Sequence, residues 1–263
     1  MEKNHPIAQQ QTNRFKAFPK KEQASGYSNE FIKLSAKSPR LVHDMILNYR
    51  YILYHLDQIQ TKNLYKPLEK IKRIKSFYLE LSEADIQSDM ILQNLSQKMK
   101  SLASLRVLKL ELPEAHWISL KGVEHLSSAL TQMKLLEKLI MYFHFAEWIN
   151  DESLHLLFKS LKKLTNLKSL TLDIPHCPDI TEKSFKHLAL ALKHPPRSLK
   201  KFSLDLSGLD LTEGNALDFL GSGLTNLSDL QKLKICFYGT GVSSAEKFSS
   251  FLCSIKHLKS LIP

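Results

Sequence analysis

Apolar and polar residues alternate in Leu105-Arg106-Val107-Leu108-Lys109-Leu110-Glu111-Leu112, and that alternation returns down the chain. Its leading apolar residue recurs as Phe77, Leu108, Leu139, Leu170, Phe202 and Leu233, at steps of 31, 31, 31, 32 and 31 residues. Two places on stand Leu79, Leu110, Met141, Leu172, Leu204 and Ile235, and two further on Leu81, Leu112, Phe143, Ile174, Leu206 and Phe237. A period of two predicts a short strand with one buried face. A fixed long period predicts a stacked solenoid.

A second periodicity lies between the strands. One column is Leu92, Val123, Leu154, Phe185, Leu217 and Phe248, a second begins at Leu95 and Leu126, and a third at Met99 and Leu130. Within each unit the three fall at i, i+3 and i+7, one face of a helix. The pattern thus predicts six strand–loop–helix units of about 31 residues.

Units such as Leu164-Thr165-Asn166-Leu167-Lys168-Ser169-Leu170-Thr171-Leu172 give L-x-x-L-x-x-L-x-L-x-L followed by a helix. Over about residues 64–263 this resembles leucine-rich repeat proteins of the long-repeat, ribonuclease-inhibitor-like type. The resemblance implies an α/β fold: a curved right-handed solenoid with a parallel sheet on its concave side and helices on its convex side. It also implies that the work is binding a protein. One departure stands out. Where that family places Asn or Cys to bond along the turn, this chain has Ser82, Pro113, His144, Pro175, Ser207 and Tyr238. The turn must be satisfied in another way.

Ahead of the repeats, Ser38-Pro39 is a helix-start signal, a capping residue followed by proline at the first helical position. Leu41, Val42, Met45, Ile46, Tyr49, Ile52, Leu53, Leu56 and Ile59 then form a wide helical stripe. Residues 31–66 are therefore expected to be a helical cap on the open end of the solenoid, and 67–263 the repeat domain. Residues 1–30 are rich in Gln, Lys, Ser and Asn and too poor in apolar residues to offset the entropy of ordering, so a disordered basic tail is expected.

Charge sharpens this division. The net charge is +11, and residues 1–66 hold 11 Lys/Arg against 5 Asp/Glu, over half of the excess. Such an excess favours acidic partners. Arg14, Lys16, Lys20 and Lys21, with Phe15 and Phe18 among them, have the composition of a segment that binds phosphates and stacks on bases. The three cysteines, Cys177, Cys236 and Cys253, are odd in number and contain no C-x-x-C pair, which fits a reducing compartment. The cytoplasm is the expected location, with nucleus, cilium and organelle left open. No run reaches the roughly 18 consecutive apolar residues of a membrane helix, so no membrane insertion is expected.

Strand residues between the leucines point away from the core and can be read as columns. The first is Ser76, Val107, Lys138, Ser169, Lys201 and Lys232; the second is Tyr78, Lys109, Ile140, Thr171, Ser203 and Lys234. The third, Glu80, Glu111, Tyr142, Asp173, Asp205 and Cys236, sets like charges side by side, Glu80 with Glu111 and Asp173 with Asp205. Either the neighbouring lysines neutralise them or the strip receives a basic partner. Tyr78, Ile140, Tyr142 and His144 make an apolar–aromatic centre of the kind that anchors protein interfaces, and Tyr238 extends the rim. Lys232 and Lys234 blunt the last strand, whose open edge is a place for a partner or for self-association. Trp117 and Trp148 occupy equivalent sites, which predicts packing inside the solenoid.

Catalytic signatures are missing: there is no H-E-x-x-H, G-x-S-x-G or phosphate-binding glycine loop, and only 8 glycines. No cofactor is expected. The expected function is a non-enzymatic scaffold that binds a protein through its concave face, as a subunit or adaptor of a larger assembly. The alternatives are an RNA-associated subunit working through the tail, and a small-GTPase regulator working through Arg106, the only arginine of the strand set.

Overall fold

The computed structural model describes the backbone of residues 44–48 and the chain over 74–258, apart from 82–88, 114, 116–117, 194–195, 197 and 213. The tail with Arg14, Lys16, Lys20 and Lys21, most of the 31–66 segment, and Trp117 lie outside the described residues.

Among the described residues seven parallel strands form one open sheet in chain order: β1 (Asp44–Asn48), β2 (Ser76–Glu80), β3 (Val107–Glu111), β4 (Lys138–Tyr142), β5 (Ser169–Asp173), β6 (Lys201–Asp205) and β7 (Lys232–Cys236). Six helices follow β2 to β7 in turn: α1 (Met90–Met99), α2 (Leu120–Leu130), α3 (Asp151–Leu161), α4 (Glu182–Leu192), α5 (Ala216–Leu224) and α6 (Ala245–Ile255). Each helix packs on the next, and each strand bonds to the next. These are the six strand–helix units that the periodicity predicts.

The register joins the columns read from the sequence. Phe77 pairs with Leu108, Leu108 with Leu139, and so on to Phe202 with Leu233. Phe77, Leu79, Leu108, Leu110, Leu139 and Met141 are buried against the inner faces of the helices, where Leu92, Leu95, Leu126 and Leu157 are fully buried. Trp148 lies in this core, its ring edge-on to Phe143 at 4.9 Å, so it packs inside the solenoid as expected. Truncating one such leucine to alanine typically costs about 2–5 kcal/mol.

One expectation is corrected. Asp44–Asn48, inside the segment expected to be a capping helix, is a strand. Met45 and Leu47 stand opposite Phe77 and Leu79, 32 residues before them, and so continue the strand columns by one unit. Residues with mixed spacing fit both periods, and the unpaired backbone edge of β2 decides between them. A parallel ladder satisfies those N–H and C=O groups, and a helix lying alongside would not.

The turns after the strands solve the missing Asn/Cys column through the backbone. The ladder runs on past each strand, with Leu112 N–H donating to Tyr142 O, Phe143 to Asp173, Ile174 to Asp205 and Leu206 to Cys236. Two residues later Phe145 N–H donates to Pro175 O, His176 to Ser207 and Gly208 to Tyr238. To aim those groups, Phe145, His176 and Gly208 take left-handed φ of 52°, 56° and 71°, and Gly239 holds the equivalent position after β7 with φ 68°. Cys177 adds a side-chain bond, its thiol 3.2 Å from Phe143 O.

At the starts of the helices, carboxylates staple successive units together. Asp151 at the start of α3 accepts from Thr181 N (3.0 Å), Thr181 Oγ1 (2.6 Å) and both N–H and hydroxyl of Ser184 (3.1 and 2.5 Å). Burial opposes its charge, but the Ser184 and Thr181 bonds outweigh it and hold the carboxyl below the ordinary aspartate range. Asp89 does the same for Ser119, and Glu182 for Asn215 N at 2.8 Å.

Candidate binding face

Among the described residues helices cover one face of the sheet and leave the other open, so alternate strand residues are presented there. Residues from Lys75 to Gln231 line a single depression of about 540 Å³ across it. Neighbouring strands lie about 4.8 Å apart and packed helices about 8–10 Å, so stacked strand–helix units curve with the sheet on the inside and the open face is concave.

The structure brings Tyr78, Tyr142 and His144 together around Lys109. Tyr78 Oη lies 2.9 Å from Glu80 Oε2 and 2.7 Å from Glu111 Oε2. Lys109 Nζ pairs with Glu111 Oε2 at 2.9 Å. The same ammonium stands 4.1 Å from the Tyr78 ring centroid and 5.0 Å from that of Tyr142, a cation held between two aromatic faces. His144 meets Tyr142 edge-on at 6.1 Å. Ile140 is next to Lys109 in register and half-exposed.

The electrostatics follow from this arrangement. Burial, then the bond to Glu111 and its charge, push the Tyr78 phenol well above its ordinary range. Burial works against the Glu111 charge, but hydrogen bonds from Lys109 and Tyr78 win and lower its carboxyl. Burial, then Asp173 and Glu111, raise Tyr142. The like-charged pair Glu80 and Glu111 is thus held by a phenol and neutralised in part by an ammonium, as one of the two readings of that column expected.

Further along, Asp173 and Asp205 are direct neighbours in the ladder. Asp205 accepts from Ser207 N at 2.9 Å and Ser207 Oγ at 2.5 Å. Asp173 has no such donor among the described residues. Burial and the Asp205 charge push it up to about 6, with Lys234 pulling the other way. The acidic strip therefore differs along its length: pinned at β2–β3, strained at β5–β6.

Tyr238 is 80% exposed but lies on the turn after β7, away from the Tyr78 centre. Lys232 and Lys234 are exposed on β7, which bonds only to β6 among the described strands. Arg106 is tied to Glu137, as is Lys168 at 2.7 Å. Those two bonds, Lys168 first, hold the Glu137 carboxyl low.

Two features escaped the sequence reading. Phe145, 52% exposed, stacks on His176 with ring centroids 4.8 Å apart and planes 4° from parallel. Both rings sit on strained left-handed residues at the rim beside Tyr142 and Asp173. Their spacing of 31 was the available signal. The second is the basic depression, whose cations come from the column just before the strands, Lys75, Arg106, Lys168 and Lys200, together with Lys138 and Lys201.

Among the described residues no cluster of three or more His, Cys, Asp or Glu could hold a metal ion, and no helix is long and apolar enough to cross a membrane.

No family model matches the chain, and no curated protein matches it in sequence. Among solved structures it is similar to one described as Leiomodin-1 Actin-Binding Site 2, at 14% identity over 62% of this chain and 86% of that one, with a TM-score of 0.43. It is also similar to the leucine-rich repeat-containing protein LegL7 from Legionella pneumophila, at 14% identity over 88% of this chain and 95% of that one, with a TM-score of 0.29. Similarity at this level says nothing of partner or chemistry. The architecture rests on the chain's own geometry: an α/β solenoid of leucine-rich repeat type, with in-register parallel strands on one face and helices on the other.

Proposed function

We propose that this protein is a non-enzymatic scaffold that grips a protein partner across its concave face and fixes it within a larger assembly. The observation that supports the reading best is the Tyr78–Lys109–Tyr142 sandwich. Aromatic rings and a cation are already fixed by Glu80 and Glu111, so little side-chain entropy is left to lose on binding. Aromatic anchors of this kind supply most of the energy in protein interfaces. Beside them Asp173, Asp205 and the Phe145–His176 stack favour a basic group of the partner, an arginine above all, which can pair with carboxylate and lie on a ring.

The regulator of small GTPases is the weaker reading, because the Arg106 guanidinium is held by Glu137 rather than offered to a partner. The RNA-associated reading rests on tail residues outside those described. The RNA-associated reading is separated from the main one by one experiment, a crosslinking pull-down with and without RNase. It compares the full chain with Tyr78→Ala/Ile140→Ala/Tyr142→Ala and with a control on the helical side, His155→Ala. Partners that withstand RNase and His155→Ala but are lost with the triple variant support the concave-face reading. Partners retained by the triple variant end it.

A further inference from the structure

At the N-terminal ends of the strands the concave face has the opposite charge to its C-terminal ends. The depression there is lined by Arg106, Lys138, Lys168, Lys200 and Lys201, with Glu137 its only carboxylate among the described residues. Glu137 is already shared by Arg106 and Lys168. Among the described residues Lys138, Lys200 and Lys201 have no carboxylate partner, nor does Lys232. Lys201 and Lys232 are moreover direct neighbours in the ladder, ammonium-bearing side chains about 4.8 Å apart at their base. Like charges so placed destabilise a sheet unless an anion offsets them.

We infer that this depression receives an acidic segment of the protein partner, a stretch of Asp and Glu side chains lying between Lys138, Lys200, Lys201 and Lys232. The inference rests on the protein-binding reading above and gives that partner a polarity. From Lys201 to Asp205 is four residues of one strand, about 13 Å. A partner with acidic and basic flanks is therefore held in one orientation, acids toward the strand starts and bases toward the strand ends. Nucleic acid fits less well. Among the described residues no aromatic side chain lines the depression to stack a base.

The test is fluorescence anisotropy of a labelled poly-glutamate peptide with the full chain at about 50 mM salt, where exposed charges are least screened. An oligouridylate of equal length is measured in parallel. The variant Lys138→Gln/Lys200→Gln/Lys201→Gln/Lys232→Gln keeps side-chain size, and its thermal melt, expected no lower than the parent's, shows that it folds. The inference expects poly-glutamate affinity to fall by about ten-fold or more in this variant. It expects no change in Tyr78→Ala/Ile140→Ala/Tyr142→Ala. Affinity unchanged by the lysine substitutions overturns it. So does tighter binding of the oligouridylate lost in the same variant, which would make the depression a nucleic-acid site. Loss of poly-glutamate binding in the lysine variant, with native partners untouched by the aromatic triple variant, would sustain the depression and remove the aromatic centre.

Discussion

The Tyr78 hydroxyl on β2 lies 2.7 Å from the Glu111 carboxylate on β3 and 2.9 Å from Glu80 on its own strand, so one phenolic proton serves two acids. Glu80 is only 7% exposed, so each hydrogen bond to its carboxylate counts. Tyr78→Phe is expected to cost about 1–3 kcal/mol, the range for leaving a buried polar group short of a partner. For a domain of this size the melting temperature should fall by roughly 2–10 °C. Glu111→Gln added to Tyr78→Phe should cost less than the two separately, because they share one bond. Unchanged melting in Tyr78→Phe would show that the bond contributes nothing.

Asp173 gives the face a pH dependence. Burial first, and Asp205 second, raise its pKa from the ordinary 3.8 to about 6. The folded chain therefore binds this proton more tightly than the unfolded chain across that window, and stability falls as pH rises through it. Asp173→Asn should raise stability at about pH 7.5 by roughly 1 kcal/mol, after allowing for the solvent that screens a half-exposed carboxyl. Near pH 4 the gain should vanish. Thermal melts of both proteins at the two pH values check this, and a gain that does not depend on pH would refute it.

Gly208 and Gly239 occupy equivalent turns with φ of 71° and 68°, yet their surroundings differ. A Cβ on Gly208 would stand 2.2 Å from the His176 ring, and one on Gly239 would find nothing nearer than 3.7 Å. Gly239→Ala should cost only the left-handed backbone penalty, about 1–2 kcal/mol. Gly208→Ala should cost more, because His176 must also leave its stack on Phe145. In a His176→Ala background the two alanines should cost the same by chemical denaturation. A persistent difference there would place the clash elsewhere.

The fixed spacing of apolar residues was enough to determine the unit, the strand register and the identity of neighbours. Glu80 beside Glu111, Asp173 beside Asp205 and the helical columns are all where the period of about 31 puts them. Spacing specifies neighbours along the sheet because a parallel ladder repeats the same residue at each step. It could not settle Asp44–Asn48, whose apolar residues suit two periods until the edge of β2 asks for hydrogen bonds. Nor could it show that Lys109 turns between two rings, that Tyr78 bridges two acids, or that Phe145 and His176 take left-handed φ to carry the turn ladder. The basic depression is made of a pre-strand column and the strand column next to it in sequence, and what the tertiary structure adds is that both line one hollow. Order along the chain decided which residues are adjacent; depth, side-chain direction and curvature, and with them charge state, came from the tertiary structure, because each depends on how much water packing removes.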